Sequence, residues 1–523
     1  MKREIVGLVS EVGLTLLGGA VVLIILTALL FMFPTLDLFG AKAVKERNTQ
    51  IVYQDSILDD AFANGKFIIE STSAQIEVQM SNEGYNGEGT ISIDQESTGV
   101  AFNSLNRTLI EWTQTLYNDE LYYRIKVLEP SGIIFNDEPT TVYINLPHRD
   151  PSDSFMHDFV LQAGYSNVNF SFADKTAGQT DALKIGNLVV ESAASVNVPS
   201  NPNISLNNIK LESQSTKFNC QSSVLGDVLV TGSRGEQTFN TAIDGAVTIS
   251  GNYNKFSGDT AGDVIFKADN GSLNFNKTQS LEVETVNGQI NIDQVVNGVV
   301  MNTEHGNLSV GTIHKKGLNF KAGTKDNTNA TASVSVESVK GDVIVNNYGV
   351  GKISLKDVNG DVEINSYQKS AKEISVAFSE KAEACKVKIL GYDGDINVKN
   401  INGLADIQVH NWENGAGAAN VYAHFKKVVG EDNVIKTGGY TSGHQDWGNV
   451  DIVLNELTCN NFKLFIYGAS SANSHEKYGF EKNNMYINGE NNGELSNLVK
   501  VKPLNLSSSG AVHIYTKQSV FLS

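Results

Sequence analysis

The phrase glycine, any residue, apolar, any residue, apolar returns along this chain for more than 250 residues. It begins at Gly186 (GNLVV), Gly226 (GDVLV), Gly245 (GAVTI), Gly262 (GDVIF), Gly271 (GSLNF), Gly288 (GQINI), Gly306 (GNLSV), Gly341 (GDVIV), Gly351 (GKISL), Gly360 (GDVEI), Gly394 (GDINV) and Gly448 (GNVDI). Many of the steps, such as 226–245–262, 271–288–306 and 341–360, are 17 to 19 residues. A fixed period this short marks a repeat architecture. Inside each unit every second residue is apolar, as in Leu281, Val283, Ile290 and Ile292. A period of two gives a strand one buried face and one wet face. The glycine is expected where the strand turns, often after Asn or Asp, which tolerate positive φ (Asn270, Asn287, Asn359, Asp393).

Two folds can be written this way. In an antiparallel meander, Asn-Gly marks two-residue hairpins and successive strands pair. In a β-solenoid each unit is one coil, and its strands stack in parallel on the coil before. Coil-length repetition with the same Gly-Asp corner fits the solenoid better. Proline usage agrees: no proline lies between Pro202 and Pro503, and a continuous ladder without free edges has no place for one. The expected fold class is all-β, a β-solenoid of ~18-residue two-strand coils preceded by one N-terminal transmembrane helix.

Five stretches carry a resemblance. LEVETVNGQINI, ISLKDVNGDVEI and VSVESVKGDVIV are similar to the repeats of the adhesin-domain family of bacterial membrane-anchored proteins. TVYINLPHRDPSDSFMHDFVLQAGYSNVNF (Thr141 to Phe170) resembles that family's strand ending in Leu-Pro, which leads into the first coils, and GKFIIESTSAQIEVQ (Gly65 to Gln79) resembles its opening strands. The resemblance spans roughly residues 60 to 460 and lies in the pattern. It implies a β-solenoid outside the membrane with a role in adhesion, and no catalytic residues to carry over. The loops around Gly323 and Gly415 and the tail after residue 460 depart from it.

Val12 to Leu36 contains no charged residue. Its 25 residues exceed the ~20 that a helix needs to cross the hydrocarbon core. Ala41-Lys42-Ala43 has the shape of a signal-peptidase site, but it lies well beyond the apolar stretch, so a retained anchor is expected. Flanking charge gives no orientation, because Lys2 and Arg3 precede the span and Lys42, Lys45 and Arg47 follow it. The expected order is a short cytoplasmic tail (1–11), the transmembrane helix (12–36) and a juxtamembrane linker (37–60). An N-terminal β region that caps the solenoid (61–180), the solenoid repeats (181–460) and a C-terminal β cap (461–523) then follow.

The net charge of −18 repels nucleic acid and anionic lipid, and the six arginines are scattered, the last being Arg234. Cys220, Cys385 and Cys459 are far apart and form no C-x-x-C pair, which argues against a disulfide framework or a structural zinc. A polysaccharide lyase or hydrolase on such a scaffold needs clustered carboxylates with a basic partner. Arg124-Ile125-Lys126 precedes the coils and lacks the companions of a pectin-hydrolase motif. His148-Arg149-Asp150 lacks the rest of a kinase catalytic loop and reads as a turn. The corner aspartates Asp227, Asp263, Asp342, Asp361 and Asp395 could stack into a calcium ladder, but only Asp342 and Asp361 fall on successive coils, so solvated turn residues are the simpler reading.

The candidate ligand-binding residues are Trp412, Tyr440, His444 and Trp447, in glycine-rich loops beside His410. Aromatic side chains on loops of a rigid scaffold suit stacking on sugars or anchoring a partner. No catalytic, metal or cofactor residues are expected. The expectation is a single-pass cell-membrane protein, not an enzyme, held by its N-terminal helix. It would show an extracellular glycan or protein an acidic β-solenoid. The alternatives are an envelope sensor or assembly factor acting through a protein partner, and a surface polysaccharide-active enzyme.

Overall fold

The computed structural model describes residues 19–25, 42–44, 49–80, 89–105, 107–136, 139–147, 149–172, 182–324, 330–349, 351–366, 373–391, 395–409, 420–428, 433–436, 449–457, 464–467, 480–481, 485–491, 499–501, 503–504 and 511–516. The described chain is almost wholly β, as expected. It divides into two compact units, residues 1–241 and 242–523.

In the second unit, from Asn287 onward, the main pairings skip the next strand in sequence. Strand Asn287–Val295 pairs with Asn307–Ile313, which pairs with Val334–Val339. Between them in sequence, Gly298–Thr303 pairs with Gly317–Ala322, and that strand with Val343–Asn347. Every one of these pairings is parallel, so the antiparallel meander is not how the repeats associate. The same skipping order continues to Leu464–Tyr467. At its start two coils are nearly continuous strand, Asn254–Lys267 and Asn270–Thr285, paired in register over most of their length.

The alternation in sequence becomes alternation in burial. In Asn287–Val295, Gly288, Ile290, Ile292 and Val295 are buried, while Gln289, Asn291 and Asp293 face water. Parallel registry then stacks like on like: Leu273 pairs with Ile290, and Ile290 with Leu308. Removing such columns from water stabilises the parallel sheet. Phe256 and Phe275 stand 5.4 Å apart, centroid to centroid, on successive strands of such a column.

The repeat glycines serve a purpose other than positive φ. Gly288, Gly306, Gly341, Gly351 and Gly360 all lie outside the left-handed region. What they need is space: a Cβ on Gly351 would sit 1.6 Å from the carbonyl oxygen of Ala332. At Gly341, Gly351 and Gly360 that space is taken by the backbone of another segment, and at Gly288 by the Thr285 side chain.

The first unit is built from two stacks that the chain visits in turn. Lys66–Glu70, His157–Gln162, Leu183–Ser192 and Ile204–Leu211 form one parallel stack. Gln75–Met80, Asn167–Phe172, Ser195–Val198 and Lys217–Cys220 form the other. The first stack ends in a hairpin, Leu109–Tyr117 with Glu120–Leu128, whose second strand pairs in parallel with Lys66–Glu70. Asn118 and Asp119 turn this hairpin with φ of 52° and 66°, the double left-handed turn that matches strand twist. The hairpin also covers the outer side of the sheet, where Tyr117 and Tyr122 pack on Ile68, Val160 and Val189. A helix, Ser56–Asn64, precedes the first stack, with the side chain of Asp55 accepting from the backbone N–H of Ile57 and Leu58.

Of the expected transmembrane span, residues 19–25 are described and helical, and the rest of 12–36 lies outside the described residues. Among the described residues no helix is long and apolar enough to cross a membrane.

Candidate functional site

Trp412, Tyr440, His444 and Trp447, with His410, all lie outside the described residues. The strands that carry those loops are described: Ala405–Val409, Val421–Val428, Asn433–Lys436 and Val450–Leu457, paired in parallel. At the corner entering this region the Asp395 carboxylate accepts from Asn420 Nδ2 at 3.0 Å and from its backbone N–H at 3.3 Å. Asn420 Oδ1 accepts from the backbone N–H of Asn449, and Asn449 Oδ1 from that of Ala511.

The same device explains the corner aspartates. Asp342 Oδ1 accepts from the backbone N–H of Asp361 at 2.9 Å, and Asp361 Oδ1 from that of Lys386 at 2.7 Å. Asp263 Oδ1 accepts from Ser280 Oγ on the next strand at 2.6 Å. Each carboxylate is engaged by the following coil, satisfying a corner donor that the ladder leaves over. Among the described residues no three His, Cys, Asp or Glu side chains are grouped to hold a metal ion. Asp361→Ala is expected to destabilise the chain by about 1 kcal/mol and Asp361→Asn by much less, since the amide oxygen still accepts. Urea titration of both variants checks this; equal losses would mean that charge, not the hydrogen bond, matters.

The cysteines are inert. Cys220 is fully buried, and burial pushes its thiol up to about 12. Cys385 is buried too, and its thiol is raised first by burial and then by the charges of Asp361, Asp342 and Glu383. Neither offers a thiolate near neutral pH, and Cys459 lies outside the described residues. Arg124 and Lys126 flank the buried Ile125 and both reach the Glu70 carboxylate, at 3.8 and 3.0 Å. Asp150 accepts from the backbone N–H and hydroxyl of Ser152, a local turn, whereas His148 is outside the described residues.

The first unit holds a feature that the repeat pattern hides. Glu129 Oε1 accepts from Ser71 Oγ at 3.1 Å and from the backbone N–H groups of Ser73 and Ala74 at 3.0 and 2.8 Å. Its Oε2 accepts from Ser73 Oγ. This clamp touches two hollows of about 360 and 520 Å³ that both border Thr72. The larger one has Tyr165 on its rim, 84% exposed. The sequence signal was a tyrosine in Gly164-Tyr165-Ser166, a tight turn between two alternating strands where a small polar residue is the norm.

His157 is the other anomaly. It is 1% exposed, neither ring nitrogen has a hydrogen-bond partner, and Phe67, Phe155 and Phe159 surround the ring. Burial, helped by the Arg149 charge, lowers its pKa to about 3.

Compared with known proteins, the chain matches no family, no curated protein and no solved structure.

Proposed function

We propose that this chain is a membrane-anchored, adhesin-like bacterial protein that presents a non-catalytic β-solenoid outside the cell as a binding scaffold. The observation that carries the reading is the pairing order. Strands two apart in sequence pair in parallel from Asn287 to Tyr467, in register except for shifts near Leu355 and Ile401, and in Asn287–Val295 one face is buried and the other wet. A chain that winds in coils would pair in this way, and it offers a long, rigid, polar face to a partner. The corner carboxylates support a scaffold over a catalyst, because they hold the next coil's backbone donors. The resemblance of LEVETVNGQINI and its relatives to adhesin-domain repeats supplies the class.

An anchor at 12–36 completes the reading. Within its helical part, Val21, Val22, Leu23, Ile24 and Ile25 are all more than 40% exposed. Five consecutive apolar side chains facing outward suit lipid, not water. The partner is an extracellular glycan or protein, since the charge of −18 disfavours nucleic acid and anionic surfaces.

Topology tests the proposal directly. With an epitope joined by a flexible linker after Ser523, a protease that cannot enter intact cells is expected to remove the epitope. A cytoplasmic control protein should survive the same treatment. An epitope that persists until the cells are lysed would place the coils inside and end the adhesin reading.

A further inference from the structure

We propose that the groove beside Tyr165 is a binding site for a neutral saccharide, with the Tyr165 ring as its stacking platform. The proposal rests on the scaffold reading above and gives that scaffold a ligand class and a place.

A single exposed aromatic ring is ordinary on a protein surface, so its surroundings must make the case. Tyr165 lies in the turn between strands His157–Gln162 and Asn167–Phe172, and its base is held from three sides. Its own backbone N–H donates to Thr72 O at 2.9 Å, and that of Gly164 donates to Ser192 Oγ at 3.2 Å. The hydroxyl of Ser166, itself fully buried, donates to Ser71 Oγ at 2.9 Å. The backbone is fixed while the ring, 84% exposed, projects into solvent. A ring presented from a rigid turn loses little entropy when a ligand covers it.

Next to the ring is the hollow of about 520 Å³, within the roughly 300–1,000 Å³ of small-molecule sites. Its walls carry Glu70, Lys126, Asn103, Gln162 and Ser192. These are directional donors and acceptors with little net field, because Lys126 sits 3.0 Å from the Glu70 carboxylate and Arg124 adds a second cation at 3.8 Å. Glu129, on the same wall, is already occupied by Ser71, Ser73 and Ala74. An anionic ligand would find the lining cation Lys126 already engaged by Glu70, and an anionic polymer would also meet the chain's overall charge of −18.

An aromatic face beside amide, hydroxyl and paired carboxylate groups suits one ligand chemistry best. A pyranose ring has an apolar C–H face that can lie on the tyrosine and a rim of hydroxyls that both donate and accept. A peptide could also use the ring, since Leu105, Val127 and Leu128 line the same hollow, but the hydroxyl-rich rim of a sugar matches the polar half of the wall more closely.

The test uses the full-length protein on a panel of neutral hexasaccharides built from glucose, galactose, mannose or N-acetylglucosamine. The wild-type chain is expected to bind at least one of them. Tyr165→Ala should weaken that binding about tenfold, the scale of an aromatic contact, and Tyr165→Phe should retain it within about threefold. Both variants should keep the wild-type thermal midpoint, because the ring stands in solvent. Unchanged affinity in Tyr165→Ala would overturn the groove and leave the scaffold reading in place. Binding to bacterial cell walls through a protein component, with no hexasaccharide bound, would overturn the saccharide and again leave the scaffold. Failure to bind either sugars or cell walls would remove both.

Discussion

Phe320→Ala is expected to cost about 3–5 kcal/mol, the range for deleting a buried aromatic ring. Phe320 is fully buried and lies in register between Met301 on the coil before and Val345 on the coil after. Removing the ring takes contacts from both neighbours at once and leaves a cavity that two flanking backbones, held by continuous ladders, cannot collapse to fill. The adjacent Asn319 faces solvent, so Asn319→Ala should change stability by no more than about 0.5 kcal/mol. Chemical denaturation of the two variants gives the comparison. If Phe320→Ala unfolds within about 1 kcal/mol of wild type, the column is not the core that its burial implies. Because Gly317–Ala322 pairs with Gly298–Thr303 and Val343–Asn347, the loss should also appear as local opening, with backbone amides of those two strands exchanging faster than those of distant strands.

Lowering the pH from neutrality is expected to destabilise the first unit through His157. In the folded chain its pKa is about 3, below its ordinary 6.5, because burial disfavours the charged imidazolium and the Arg149 guanidinium repels it. A depressed folded-state pKa means that the neutral form is the one the fold keeps. The stability is therefore fully present above pH 6.5 and is lost as the pH falls toward 3. Each tenfold loss of proton affinity on folding corresponds to about 1.4 kcal/mol, so the full window is worth on the order of 5 kcal/mol. His157→Phe fits the cage of Phe67, Phe155 and Phe159 and carries no proton to bind. Its stability between about pH 6.5 and 5.5 should be nearly flat where the wild type slopes downward. That interval lies above the range where most carboxylates titrate, so a wild-type slope that His157→Phe retains would clear His157 of the effect.

These two residues differ in how far the sequence announces them. Phe320 sits in GLNFKA, an alternating strand at the coil spacing, and alternation is enough to turn it inward. His157 sits in HDFVLQ, where the same rule would bury either His157 or Asp158 but not both. Both are buried because the sheet is covered on its two sides at that point. Outside it lie Tyr117 and Tyr122 from a hairpin some 40 residues earlier, packed on Val160, and inside it lie Phe67 and Phe159. No local pattern encodes a contact made at that distance along the chain.

The corner aspartates and glycines show the same division. Their recurrence is plain in the sequence, where a carboxylate in a Gly-Asp corner reads most simply as a solvated turn and less simply as a cation ligand. Only the stacking of coils puts the backbone N–H of Asp361 within reach of Asp342 and that of Lys386 within reach of Asp361. The glycines suggested left-handed turns, but at Gly351 and Gly360 the reason is the backbone of another segment pressed against the Cα.

By itself the sequence determined the all-β class, the inward and outward faces of the repeat strands and the positions of the corners, because a period of two is a local property of an extended backbone. The tertiary structure decided the partners: parallel pairing of alternate strands, the carboxylates that bridge coils, the histidine buried under a hairpin and the tyrosine left uncovered beside a groove. Each of these depends on which distant segment arrives next to which, and that is settled by the packing of the whole coil, not by the order of residues within it.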